Sequence, residues 1–335
     1  MSENEKSAEW GNISRNYLLK KKILDYFYKF CRAVLLFGMC FLILQPILDK
    51  VSVSFMEQQD LYDSTVISIP RNFTLNNYSL AASGRLLDYW PSLFQTLVIV
   101  LVSAALQIAA CTMAGYAFAR FKFPLKNFWF MCVMLIIIVP PHTIMSSLYL
   151  NFRFFDIFGL IRLITGSPLN LLNSVAGLWL LSATGMGLKC GLYIFMLRQY
   201  FRGMPKELEE AAWVDGCGRF KTFIQIMLPD AAPMLTSCFL FSFVWQWTDS
   251  FYANLFLNNY KMLSKGLGGL AERFASYYAS ITVSTGGGVS AYAPVGLTQM
   301  MIATGMLMCL IPLILLYLVA QKAFVESLSQ TGIKM

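Results

Sequence analysis

A chain of 335 residues with 57% hydrophobic side chains, only 13% charged ones and 27 phenylalanines is too apolar for a water-soluble globule, and its composition points to a polytopic membrane protein. Its formal net charge of +8 reads as topology and affinity for anionic membrane lipid, with no call for nucleic acid. The 8 cysteines all fall in predicted spans or cytoplasmic segments, so no disulfide framework is expected, and no CxxC pair suggests a metal site.

The first 32 residues are polar and then amphipathic. Leu19, Ile23, Phe27 and Phe30 share one helical face while Lys22, Asp25 and Lys29 lie opposite, which predicts an N-terminal extension, 1–32, carrying an interfacial helix. A plain topogenic basic cluster reads the same residues equally well, and a cleavable signal peptide does not. Since a hydrocarbon core of roughly 30 Å takes about 20 apolar residues per helix, six spans are predicted over 33–335. Ala33–Leu48 is the first and shortest. Ser92–Ala119 and Phe128–Leu150 carry no Asp, Glu, Lys or Arg; the second of these holds His142, the only histidine, beside Pro140 and Pro141, where a kinked helix end explains the cluster better than a proton relay. Leu171–Leu197 carries one charge, Lys189, which reads first as snorkelling or pairing with Asp249 and alternatively as a substrate contact.

Next comes the polar stretch 202–230. Pro205 suits the first helical position, Glu207, Glu209 and Glu210 follow where the helix dipole favours negative charge, and Leu208, Ala211 and Ala212 form one face. Gly216 offers the positive φ that ends this helix, and a second one, striped by Phe220, Phe223, Ile224 and Met227, is expected to stop at Leu228 because Pro229 follows. The fifth span, Ala231–Leu257, has one charge, Asp249; Trp245, Trp247, Tyr252 and Asn254 accompany it, the flat faces and polar groups that hold sugars, and equally the aromatic anchors of a membrane interface. The loop after it contains Gly286, Gly287 and Gly288 without the lysine and hydroxyl of a phosphate-binding loop, and no such pattern occurs elsewhere. The sixth span is Ala291–Ala320, followed by a tail, 321–335. Seventeen lysines and arginines lie in the N-terminal segment, the 120–126 and 198–221 stretches and the tail, against eight in the alternate loops, so both termini and the Glu210 loop are predicted to be cytoplasmic.

The string Glu210-Ala211-Ala212, Asp215-Gly216, Ile226, Leu228 and Pro229 resembles the EAA loop of permease subunits in ABC importers. Phe73–Tyr78, Tyr116–Pro124, Trp247, Asp249 and Phe251, and the tail residues Gln321, Lys322, Phe324, Val325, Gly332 and Lys334 extend the resemblance to the smaller permease of carbohydrate importers, the group typified by the maltose transporter.

The resemblance implies an all-α type I ABC importer permease fold in a bacterial cytoplasmic membrane, for a sugar or, alternatively, a non-sugar solute. It implies a second homologous permease, two ATPase subunits and an external sugar-binding protein as partners. ATP and Mg would be used by the ATPase, with no cofactor, metal or catalytic residue on this chain. Glu210, Ala211, Ala212, Asp215 and Gly216 would couple to the ATPase; Trp245, Trp247, Asp249, Tyr252, Asn254 and Lys189 are candidates for the sugar path. A secondary transporter, with Lys189 and Asp249 as coupling charges, is the competing class, and it leaves the Glu210 loop without a purpose.

Overall fold

The computed structural model describes residues 3–63, 65–66, 69–284 and 293–332, with side chains placed within 21–283 and 293–322 of these. Gly286, Gly287, Gly288 and Lys334 lie outside the described residues, as do the side chains of Leu19, Phe324 and Val325. Among the described residues every regular element is helical, and extended pairing is confined to the isolated bridges Met56–Phe73 and Phe155–Leu169. The chain divides into two units, 1–74 and 75–335.

The first unit is built on α1, Glu3–Ser54, a helix of 52 residues whose apolar part is Lys21–Ser54. The boundary expected at residue 32 runs through its middle: the amphipathic extension and the first span are one helix, because no proline or glycine pair interrupts 20–45 and Pro46 costs a single ladder bond without ending the helix. After it the chain folds back on itself. Asp60, 4% exposed, accepts hydrogen bonds from the Asn72 backbone N–H at 2.8 Å and from Asn72 Nδ2 at 2.9 Å, and the Phe55 and Phe73 rings stack at 4.7 Å. On the exposed side of this loop the Thr65 hydroxyl donates to Asp63 at 2.6 Å and Arg71 sits 3.0 Å away; the Thr65 hydroxyl first, then its backbone N–H and the Arg71 charge, hold the Asp63 carboxyl below its ordinary pKa.

The second unit is organised around α2, Tyr89–Arg120, 32 residues that stay helical up to Phe121, whose backbone is extended. Next come α3, Lys126–Ile138, and α4, Pro141–Arg153, which form one apolar segment bent by 102°. The bend falls where Pro140 and Pro141 remove two N–H donors, which agrees with the kink read from the sequence.

The fourth predicted span is broken. Its two pieces are α5, Val175–Ala183, and α6, Cys190–Gly203, separated by a turn in which Gly185 (φ 71) and Lys189 (φ 62) both take left-handed backbone. With 9 residues, α5 reaches only ~14 Å at 1.5 Å per residue, too short to cross a bilayer alone. Beyond α6 lie α7, Glu207–Val214, and α8, Arg219–Asp230; α8 and α9, Ala232–Thr248, make a second bent pair at 76°. The fifth predicted span therefore stops at Thr248, and α10, Phe251–Phe256, restarts after Asp249 and Ser250. The remaining long elements are α11, Leu270–Ser284, and α12, Val295–Gly332, which carries the predicted sixth span into the tail without a break. Three helices, Lys21–Ser54, Tyr89–Arg120 and Val295–Lys322, are each long and apolar enough to cross a membrane, and the two bent pairs bring the number to as many as 5 among the described residues.

The core lies where α2, α6 and the α8–α9 segment meet, around Cys111, Tyr193, Leu197, Phe201, Met227 and Cys238. At Gly115 a Cβ would stand 2.9 Å from Leu197 Cβ and 3.2 Å from the Arg198 nitrogen, so this glycine is what lets α2 and α6 touch at backbone distance. Above that crossing sits a buried polar node. Gln107 is 0% exposed; its Oε1 accepts from Gln246 Nε2 at 2.5 Å and Ser242 Oγ at 3.1 Å, and its Nε2 donates to the Leu188 carbonyl at 2.5 Å. One amide thus joins α2 and α9 to the turn that breaks the fourth span, and satisfies a carbonyl which the broken helix leaves without a partner. All 8 cysteines are free.

Candidate functional site

The polar loop forms as the sequence predicts in outline, with differences in detail. α7 starts at Glu207, two residues after Pro205, and gathers Glu207, Glu209 and Glu210 in its first turn. It closes with a Schellman motif: the Cys217 N–H donates to the Ala212 carbonyl at 2.9 Å and the Gly216 N–H to the Trp213 carbonyl at 3.1 Å, with Gly216 at φ 80. Asp215 contributes its backbone N–H to the Ala211 carbonyl at 3.0 Å and leaves its side chain exposed.

The second helix does not end at Leu228. It runs Arg219–Thr222, widens into a π stretch at Phe223–Met227, and continues through Leu228–Asp230, with Pro229 taken up just after the widened stretch. The stop comes at Ala231.

The face assigned to Leu208, Ala211 and Ala212 also differs. The only buried residues of α7 are Glu209 and Ala212, three positions apart, while Leu208 and Ala211 are exposed. Of the five coupling candidates Glu210, Ala211, Asp215 and Gly216 are exposed, and Ala212 at 3% exposure is packed inward. Around the outward four lie large apolar side chains left bare, Trp213 at 47%, Val214 at 87% and Phe220 at 74% exposure.

Glu209 is the functional-looking residue that the sequence hides. Its Oε1 accepts a hydrogen bond from the Tyr116 hydroxyl at 2.7 Å, and its Oε2 stands 3.3 Å from Arg120 Nε, an ion-pair distance without hydrogen-bond alignment. Arg120 Nη2 donates to the Met204 carbonyl at 2.8 Å. The Tyr116 ring is wedged against Phe201 at 5.4 Å and Phe223 at 4.6 Å. The side chains of Arg120 and Glu209 are 7% and 6% exposed. Adjacent glutamates look alike in a sequence; the available signal was the three-residue step from Glu209 to Ala212, together with an arginine closing the preceding long apolar helix.

The six translocation candidates separate in the same way. Trp247, 2% exposed, donates its indole N–H to the Cys309 carbonyl at 3.2 Å and stacks on Phe243 at 5.5 Å; Tyr252 is 5% exposed. Trp245 is 46% exposed, with Lys189 Nζ 5.0 Å from its ring centroid, and Asn254 is exposed too. The expected pairing of Lys189 with Asp249 does not occur: the Asp249 carboxylate caps α10, accepting from the Tyr252 N–H at 2.9 Å and the Phe251 N–H at 3.3 Å. A short polar side chain at a helix break finds these backbone donors locally, whereas the Lys189 ammonium lies over an aromatic face. Asp249, Tyr252 and Gln246 line a cavity of about 20 Å³, room for one water. Larger hollows open outward, an apolar one of about 540 Å³ between Ala105, Met113, Phe223 and Phe239 and one of about 440 Å³ beside Trp247, Thr248 and Leu313.

Residues 108–329 match the family model described as "Binding-protein-dependent transport system inner membrane component". Among curated relatives, "Probable ABC transporter permease protein PH1036" of Pyrococcus horikoshii is 32% identical over 191 residues, 57% of this chain and 63% of that protein. The "Arabinooligosaccharides transport system permease protein AraQ" of Halalkalibacterium halodurans is 26% identical over 298 residues, 88% of this chain and 92% of that one. Among solved structures, a chain of a bacterial ABC transporter involved in the import of the acidic polysaccharide alginate superposes with a TM-score of 0.67 at 19% identity, over 90% of this chain and 97% of that one, a likeness of fold.

Proposed function

The chain belongs to the family of binding-protein-dependent transport system inner membrane components, and from that premise we propose that it is a permease subunit of an ATP-driven importer for a sugar or oligosaccharide. The observation that carries this reading is the loop between α6 and α9: a short helix, a Schellman turn and a second helix, with Glu210, Ala211, Val214 and Phe220 outward and exposed among the described residues. A partly apolar knob that presents the Glu210 carboxylate on a short rigid turn suits insertion into a cleft of an ATPase subunit, with a basic group of that cleft opposite Glu210, and ATP and Mg would be consumed there. The excess of lysine and arginine on one set of loops favours a cytoplasmic position for this knob and for both termini.

A second homologous permease would complete the pathway, and an external binding protein would deliver the solute. The water-sized cavity inside this chain supports a path formed between two permeases, lined on this side by the outward residues Trp245, Lys189 and Asn254, with Asp249, Trp247 and Tyr252 holding the wall behind them. The sugar class rests on the arabinooligosaccharide permease, which aligns over most of both chains. Reversing the charge in Glu210→Lys should release the ATPase from the purified complex and abolish uptake of labelled arabinotriose at normal membrane levels of this chain. Full ATPase retention and uptake in that variant would overturn the docking role.

A further inference from the structure

We infer that Glu209, through Tyr116 and Arg120, is the positioning residue that passes movement of the α7–α8 loop into α2. The inference rests on the docking role proposed for the outward face of that loop and concerns its opposite face.

α7 has eight residues, and Glu209 and Ala212 are the ones it buries. A helix so lightly held would swing about its connection to α6, Met204–Lys206, and a push on its outward face would be lost in that connection. Arg120 prevents this by gripping both sides of the connection. Its Nη2 holds the Met204 carbonyl at 2.8 Å, where the linker begins, and its Nε faces the Glu209 carboxylate at 3.3 Å, after it.

Tyr116, one turn back on α2, holds the other carboxylate oxygen at 2.7 Å. Both partners stand on the last two turns of a 32-residue helix, and a sequence separation of 93 between Tyr116 and Glu209 makes the joint a tertiary one. Directly above it α2 meets α6 at Gly115 with no room for a methyl group, so displacement of the α2 end is carried on as a rigid-body movement. A buried carboxylate is costly to desolvate, and two groups, the Tyr116 hydroxyl and the Arg120 guanidinium, converge on this one where an apolar residue would bury without that cost. The charge makes the joint directional and stiff, which packing alone does not.

The test uses the complete transporter, with both permeases and the ATPase, and compares backbone hydrogen exchange with and without Mg-ATP and vanadate. Two single variants remove the joint with little change of volume: Glu209→Gln, and Tyr116→Phe, which keeps the ring against Phe201 and Phe223. In both, the ATPase should copurify at the unmodified ratio, and the nucleotide-driven change in exchange at α7 and α8 should persist. The corresponding change over 113–120 should fall about tenfold, within the ~5–150-fold range typical of coupling between sites. A double exchange, Glu209→Arg with Arg120→Glu, should restore part of the response that either single change removes.

A merely structural contact would raise exchange at 113–120 equally with and without nucleotide, and that result would overturn the inference. So would an unaltered nucleotide response in Tyr116→Phe, which decides alone where Glu209→Gln fails to assemble. Failure of the docking reading is separately visible, as retention of the ATPase by Glu210→Lys.

Discussion

Two buried polar joints end on the same helix and are built differently. Near the end of α2 the Glu209 carboxylate meets Tyr116 and Arg120; higher on the same helix Gln107 meets Gln246, Ser242 and the Leu188 carbonyl. The first ties the α7 loop to the end of α2 and uses charged groups. The second bridges the break in the fourth predicted span and uses neutral amides. Neutral groups suit that place, since a bare charge in hydrocarbon has no inexpensive partner and a missing backbone bond needs only one donor. Charge is tolerated at the loop because the joint lies at the end of the apolar segment.

The largest expected effect breaks this contrast directly. Glu209→Leu leaves the Arg120 guanidinium buried without its counter-charge and should destabilise the purified complex by about 3–5 kcal/mol in denaturant or thermal unfolding. Gln107→Leu should cost only about 0.6–2 kcal/mol, because hydrogen bonds within membrane segments are replaced in part by other partners. Equal losses for the two variants would show that the joints do not differ in kind.

A second experiment carries the same contrast to the aromatic pair. Trp247→Ala removes a buried ring and should lower stability by about 3 kcal/mol, the usual cost of emptying such a site, with uptake falling only in proportion to assembled protein. Trp245→Ala removes an exposed ring and should leave stability within about 1 kcal/mol while weakening sugar-stimulated ATP hydrolysis. If the two effects are reversed, Trp247 belongs to the solute path and Trp245 is a lipid-facing anchor.

The smallest effect sharpens the contrast from the exposed side. Asp63, hydrogen-bonded by Thr65 and paired with Arg71 on an open loop, has its pKa lowered on folding. A depressed carboxylate stabilises above its unfolded pKa, about 3.9, and that contribution disappears as pH falls through the lower folded value. Asp63→Asn should therefore leave acid stability unchanged at the lowest pH and reduce it slightly near neutrality. A carbon-13 titration of the carboxyl that gives an ordinary value would remove the effect altogether.

Much of the fold was legible because its signals are local. Proline pairs mark the bend between α3 and α4, and Gly216 marks the turn after α7, since each constrains its own backbone whatever surrounds it. The break at Thr184–Lys189 was hidden under a continuous apolar run: hydropathy sums over the segment and is blind to a left-handed lysine. Asp249 misled for a related reason. Read as a charge inside a span, it invited pairing with Lys189, and the backbone donors that cap α10 appear only once the helix is seen to stop.

By itself the sequence determined the class of the protein, its apolar segments, the loop with its glycine turn and the likeness to a permease family, since composition, periodicity and spacing are properties of the chain alone. Only the tertiary structure decided that Glu209 turns inward and Glu210 outward, and that Trp247 is buried while Trp245 is exposed. These choices depend on Tyr116, Arg120 and the Cys309 carbonyl, each far along the chain. Neighbouring side chains of one type are equivalent until a remote partner makes one of them worth burying, and no pattern local to the helix carries that information.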